Sequence, residues 1–212
     1  MNKKAPLIIT ISRELGCGGA YIGQQIAKKL NMYYADHEIV ARAAEQFSAN
    51  IVDVASQDER VEPLWKSLWS YYGTAPNVYI PSLKKYIPTS LELFNTESEI
   101  IKHIASEHSS VIIGRCGFYV LRNYSNRIDI FLHADHDFRV RRIEGLYSIS
   151  EEEAKDMVAQ NDKERGNYIR SFTGKEWTNS KLFDLSINTG KIGITKSLEI
   201  ILDYINLHSE KA

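Results

Sequence analysis

Cysteine is scarce in this chain: Cys17 and Cys116 are the whole complement, too few for a disulfide framework or a cysteine-built metal cluster. Long apolar runs are missing. Stretches such as Leu7 to Ile11 and Val111 to Ile113 fall far short of the ~20 residues that cross a bilayer. An excess of either charge is missing too. Lys and Arg number 26 against 27 Asp and Glu, a formal net charge of -1, so no global field marks a nucleic-acid or membrane partner. The six histidines show no metal-ligand spacing, and no Ser-His-Asp or Cys-His arrangement stands out. The basic start Met1-Asn2-Lys3-Lys4 leads into a strand pattern without the apolar region of a signal peptide, and a cytoplasmic protein is the expectation. Of five prolines, four gather at Pro63, Pro76, Pro81 and Pro88 and break that region into short pieces.

What is present starts near the N-terminus. Leu7 to Ile11 is an apolar, β-branched run, and Gly16, Gly18, Gly19 and Gly23 follow it. Ile22, Ile26, Ala27 and Leu30 then recur at helical spacing, predicting an amphipathic helix over Gly18 to Leu30. A strand feeding a glycine turn and a helix N-terminus presents backbone N–H groups and a positive dipole end, which suit a phosphate. The lysine and Ser/Thr of a standard P-loop, G-x-x-x-x-G-K-[ST], are absent. A plain strand-to-helix connector is the alternative reading of the same turn.

Further along, the spacing predicts strands at Met32–Ala35, Ser110–Ile113, Arg127–Leu132 and Leu185–Asn188. Helices are expected from Asp36 to about Phe47, at Glu97–Glu107, briefly to Leu121, and at Asp135–Gly145. Ser150-Glu151-Glu152-Glu153 is a capping-box pattern opening a long helix toward Arg170. Ser171 to Lys181 is polar and glycine-containing and reads as a mobile loop, and Thr195–Leu207 as a closing helix. Asn50 to Asn95 is irregular and rich in aromatics, including Trp65, Trp69, Tyr71, Tyr72, Tyr79 and Tyr86. These side chains either stack on a base or fill a core or interface, and the 60–90 region is a candidate surface for self-association. Strands alternating with helices over 212 residues predict one α/β domain with a mostly parallel sheet.

Several blocks, in order, resemble the cytidylate kinase-like family, a branch of the P-loop nucleoside monophosphate kinases. They are Ile9-Thr10-Ile11-Ser12-Arg13-Glu14 with Gly16, Gly18, Gly19 and Gly23, then Val111-Ile112-Ile113-Gly114-Arg115. Phe131-Leu132-His133-Ala134 with the following arginines, Asp162-Lys163-Glu164-Arg165, Thr173-Gly174-Lys175-Glu176-Trp177 and Asp184-Leu185-Ser186-Ile187-Asn188-Thr189 complete the set. The resemblance implies a P-loop NTPase-like three-layer fold with a five-stranded parallel sheet, a helical acceptor-binding insertion at 48–97 and an arginine-bearing lid at 145–182. It also implies phosphoryl transfer from ATP to a nucleoside monophosphate, with Mg2+ expected to come with the nucleotide and no dedicated protein site for it. Aligned on ordinary cytidylate kinases, Gly19 stands where the P-loop lysine would be and Tyr21 where the Ser/Thr would be. Relatives in this branch commonly lack that lysine, but more often carry a charged pair where this chain has Ala20 and Tyr21. Cys116 stands where cytidylate kinases keep an aspartate.

Phosphoryl transfer needs positioning and positive charge more than covalent chemistry. The expected phosphate cradle is Ser12, Arg13, Gly16, Cys17, Gly18, Gly19, Ala20 and Tyr21. Arg13 either replaces the missing lysine or pairs with Glu14 or another acid. Arg115 should face the same crevice, where the resemblance assigns it to the acceptor phosphate; an ion pair is the alternative. Arg139 and Arg142 share one helical face, as do Asp162 and Arg165; these three arginines either clamp phosphates as a lid closes or are solvated, and Asp162 is expected among the nucleotide- and phosphate-binding residues. Arg141, on another face, reads as solvated. Asp36 caps a helix or contacts the acceptor. The turns bearing Cys17 and Cys116 follow strands expected to be neighbours, so a reversible link between them that blocks the phosphate site is a further hypothesis.

Two other functions fit parts of this pattern. A nucleotide-binding regulator without turnover would keep the cradle and lose the lysine. A dinucleotide-dependent oxidoreductase would use Gly16-Cys17-Gly18 with Asp36, 20 residues after Gly16, as the ribose-binding acid, although Tyr21 occupies the third fingerprint position.

Overall fold

The computed structural model describes residues 5–36 and 90–211. Five strands, β1 (Ile8–Arg13), β2 (Tyr33–Ala35), β3 (Ser110–Ile113), β4 (Arg127–His133) and β5 (Leu185–Asn188), form one sheet in the order β2-β3-β1-β4-β5. Every pairing is parallel, with Ile9 opposite Val111 on one side and Ile128 on the other. β1 is central because it can be: Ile8, Ile9 and Ile11 are fully buried, and a strand covered on both faces tolerates a continuous β-branched run.

Alternation along the strands then assigns the layers. Ile9 and Ile11 join Val111, Ile113, Ile128, Ile130 and Leu132 on the face covered by α1 (Gly19–Leu30) and the last helix. Ile8 and Ile112 point the other way, toward Ile100, Ile101 and Ile104 of α2 (Ser90–Glu107). α3 (Gly117–Val120) begins just past β3, and α4 (His136–Tyr147) follows β4. α5 (Glu151–Thr173) packs against α4 through Val140, Ile143, Ala154 and Val158. A 3-10 turn at Ser180–Leu182 leads to β5, and α6 (Thr189–Ile192) and α7 (Ile194–Lys211) close the chain. This is the expected P-loop NTPase-like three-layer α/β fold. Among the described residues no helix is long and apolar enough to cross a membrane.

Two helix ends and one loop differ most from the sequence reading. α2 starts at Ser90 rather than Glu97, because the apolar stripe is interrupted by Glu97 and Ser98, polar residues that are nonetheless buried. Residues 90–97 of the expected insertion are therefore helix. α5 runs on to Thr173, its start secured by the capping box of Ser150 and Glu153 and its end by Gly174 in the left-handed region. The segment after it is not simply polar: Trp177 is buried among Phe131, Ile169 and Cys116, edge-on to Phe131. The expected helix from Asp36 to Phe47, the remainder of the 48–97 insertion and the aromatic 60–90 region lie outside the described residues.

The strand order also bears on the dinucleotide alternative. In a Rossmann unit the strand ending at the ribose-binding acid neighbours the first strand. Here β3 lies between β1 and β2, so Asp36 is one strand further from the glycine turn than that reading requires.

The buried inner face makes a direct prediction. Ile130→Ala removes a side chain with no solvent exposure from the middle of β4. It should lower the unfolding free energy by about 2–5 kcal/mol, read from urea denaturation followed by circular dichroism.

Candidate phosphate-binding site

The turn between β1 and α1 lies at the carboxyl edge of the sheet, where every parallel strand delivers its following loop. Gly16 and Gly18 both have φ of 84°, in the left-handed region. Space is as restrictive as angle: a Cβ at Gly16 would come within 2.8 Å of the Arg139 carbonyl oxygen, and one at Gly18 within 2.7 Å of Ile194 Cδ1. The loop is pinned from below. The Cys17 thiol donates to the Leu132 carbonyl at 3.3 Å, and the Thr189 hydroxyl donates to the Cys17 carbonyl at 2.8 Å. The Ala134 N–H donates to Glu14 Oε2 at 3.1 Å. The Gly19 N–H donates to the Cys17 sulfur, while among the described residues the N–H groups of Gly16, Cys17 and Gly18 have no backbone or side-chain acceptor. Three uncommitted donors at the positive end of a 12-residue helix with no acid in its first turn are chemically suited to an anion such as phosphate.

Arg13, the last residue of β1, leads away from Glu14. Its Nη2 lies 3.7 Å from Asp36 Oδ1, with both side chains nearly buried, and its Nη1 lies against Gly114. The Tyr34 hydroxyl lies 3.2 Å from Asp36 Oδ2 and 3.4 Å from the Ala20 carbonyl, linking this acid to the start of α1. Gly19, in the lysine position, is buried, and Ser12 is buried beneath the turn. Ala20 and Tyr21 are exposed, Tyr21 by half.

The other arginines divide by what already holds them. Arg139 is buried between Glu14 Oε2 at 3.2 Å and Asp162 Oδ2 at 2.8 Å, and it also donates to the Ala134 carbonyl at 3.1 Å. The sequence reading aimed Arg139 and Asp162 at phosphate. The structure instead ties them to each other, because a guanidinium this far from water needs carboxylates around it. Burial also pushes the Glu14 carboxyl above its usual range, against the pull of the Ala134 N–H and Arg139. Arg165, on the same helical face as Asp162, donates to the Arg13 carbonyl at 2.7 Å, so α5 touches the cradle directly. Arg142 is half-buried and Arg141 exposed.

Arg115 opens the turn after β3 with φ of 51°. Its Nη1 sits 3.2 Å from Oε1 of Glu97, a residue only 1% exposed. The Tyr168 hydroxyl donates to the other Glu97 oxygen at 2.8 Å. Burial raises the Glu97 carboxyl above its ordinary value, and Arg115 and Tyr168 draw it back down. This acid joins α2, β3 and α5 through one residue. The sequence reading missed it, and the available signal was a lone glutamate inside the apolar stripe of α2.

A model of the cytidylate kinase-like family matches residues 8–191. The chain belongs to that family. It is 29% identical to a cytidylate kinase of Sulfolobus acidocaldarius over 63% of its own length and 75% of the relative's. Against a cytidylate kinase of Saccharolobus islandicus the identity is 27%, over 54% of this chain and 60% of the relative. Among solved structures, an uncharacterized protein from Eubacterium ventriosum superimposes with a TM-score of 0.69 at 22% identity, covering 94% of this chain and 98% of the other. A shikimate kinase from Bacteroides thetaiotaomicron has a TM-score of 0.52 at 15% identity over the same shares, which is a likeness of fold.

For a member of the cytidylate kinase-like family, the metal and thiol chemistry is sparse. No group of three or more His, Cys, Asp or Glu side chains among the described residues could hold a metal ion. Cys17 packs with Ile9 and Ile11 on one face of the sheet, and Cys116 with Phe131 and Trp177 on the other. Both thiols are free and buried. Burial pushes the Cys17 thiol up to about 11 and the Cys116 thiol up to about 12. At pH 8 both are therefore protonated and unreactive. Native protein should resist iodoacetamide at these two positions at pH 8, and both should alkylate within minutes in denaturant, as read by intact mass.

Proposed function

We propose that this chain is an ATP-dependent kinase of nucleoside monophosphates. The observation that carries the reading is the row of uncommitted N–H groups from Gly16 to Gly18 at the head of α1, flanked by the guanidinium of Arg13, in a chain of this family. In this reading the turn orients the donor phosphates of ATP. Arg115, held by Glu97, meets the phosphate of the acceptor at the carboxyl end of β3. Arg165 ties the cradle to α5, so residues 145–182 act as the lid, while Arg139 sets the angle between α4 and α5. Asp36 orients Arg13, and residues 48–97 select the acceptor base and supply any surface for self-association.

The donor set of the turn fits phosphate oxygens. It offers magnesium little: Tyr21 holds the position of the Ser/Thr hydroxyl, and Ser12, beneath the turn, is buried. Mg2+ bound to the nucleotide would neutralise its phosphate charge. The chain's own part is orientation and charge from fixed donors, which need no reorganisation as the phosphoryl group moves.

The second reading, a nucleotide-binding regulator, is favoured by Gly19 and Tyr21 together and differs in turnover. A coupled ADP-release assay over CMP, dCMP, UMP and AMP separates the two. Turnover with at least one acceptor is the expected outcome; tight ATP binding with no turnover over the whole panel sinks the kinase reading. Arg115→Ala should raise the acceptor KM about tenfold or more, the effect of losing a charged hydrogen bond. ATP affinity, measured by calorimetry on the same variant, should stay close to that of the parent.

A further inference from the structure

The lysine position and Arg13 occupy one volume. A Cβ built on Gly19 would fall 2.7 Å from Arg13 Cβ and 2.8 Å from Arg13 Cγ. Those atoms are the root of the side chain, fixed to the end of β1, and cannot swing aside as a side-chain tip can. Further out, the Arg13 Nη1 fills the space over Gly114, where a Cβ would lie 2.0 Å from it. The side chain thus runs from the strand, across the place where a residue-19 side chain would begin, into a slot between the ends of β2 and β3.

We propose that Arg13 is the phosphate-binding cation of this turn, and that Gly19 is glycine because Arg13 is there. The inference rests on the reading of the turn as a phosphate cradle. Two independent observations select Arg13. First, among the described residues its guanidinium is held by a single ion pair of 3.7 Å, too long for a hydrogen bond, although the side chain is only 12% exposed. Arg139, by contrast, is committed to two acids and a carbonyl, and Arg115 to Glu97. A nearly buried guanidinium with donors to spare, beside the three spare N–H groups of Gly16, Cys17 and Gly18, is complementary to a polyphosphate. Second, the steric interlock with Gly19 means that a lysine at that position and an arginine at position 13 exclude each other. The same charge thus enters the cradle from the strand side.

The test is a double-mutant cycle on the full chain. Gly19→Lys, Arg13→Gly and Arg13→Gly/Gly19→Lys are compared with the parent for melting temperature and for affinity toward ATP and inorganic tripolyphosphate without metal. Gly19→Lys alone should lower the melting temperature and abolish anion binding. Arg13→Gly should fold and bind both anions about tenfold more weakly, as expected for one charged hydrogen-bonding partner. The double variant should melt above Gly19→Lys and recover affinity to within about threefold of the parent, since lysine then has room. The proposal is overturned if Gly19→Lys keeps its melting temperature and binds ATP more tightly with Arg13 in place, or if the double variant is no better than Gly19→Lys. A parent that binds neither anion overturns the cradle reading itself. A parent that binds both, with Arg13→Gly unchanged, overturns only the role of Arg13.

Discussion

A guanidinium 7% exposed to solvent sits between Glu14 on the glycine turn and Asp162 in the middle of α5, and the geometry of the whole edge depends on it. Arg139 also reaches the carbonyl of Ala134, the residue whose N–H binds Glu14, so the turn, the end of β4 and two helices meet at one buried charge. Its backbone closes the space above Gly16, which is why that position accepts no side chain. Removing either partner of such a pair leaves a charge stranded away from water, typically a loss of about 3–5 kcal/mol. The arrangement is therefore all-or-none. It holds the loop in its left-handed turns without spending the N–H groups of Gly16, Cys17 and Gly18.

That division of labour lets the turn keep its shape without the usual P-loop side chains. Shape is supplied from outside the loop, by the Thr189 hydroxyl on the Cys17 carbonyl, the Cys17 thiol on Leu132 and the Glu14–Arg139 pair. The N–H groups of Gly16, Cys17 and Gly18 remain available. A second buried acid does the same for the turn after β3: Glu97 fixes Arg115 while Tyr168 fixes Glu97. Both acids sit where burial opposes their charge, and both stay useful because a guanidinium faces them.

The sheet and its layers were legible in the sequence because β-branched runs and helical spacing are local signals. β1 to β5 lie where Leu7–Ile11, Met32–Ala35, Ser110–Ile113, Arg127–Leu132 and Leu185–Asn188 placed them, within two residues at either end. The capping box at Ser150 was legible for the same reason, since four consecutive residues carry it. The site was legible only in outline. Gly16 and Gly18 announced the turn, but the partners of the arginines were not local: Arg139 finds an acid 23 residues later, and Arg165 a carbonyl 152 residues earlier. Three-residue spacing put Arg139 and Arg142 on one face, yet tertiary packing buried the first and left the second half-buried. Glu97 was invisible because a buried carboxylate inside an apolar stripe looks like a break in the pattern.

The crowding of Arg13 against Gly19 has a consequence for how such a turn can change over generations. A lineage that holds this arginine cannot regain the usual lysine by a single substitution at position 19, because the intermediate has two side chains rooted in one space. The arginine must shrink first, and that step leaves the turn with neither side chain. Position 114 is drawn into the same constraint, since the arginine's tip fills the space over it. The glycines of this turn are thus tied to the arginine at position 13 in a way that is hard to reverse one residue at a time.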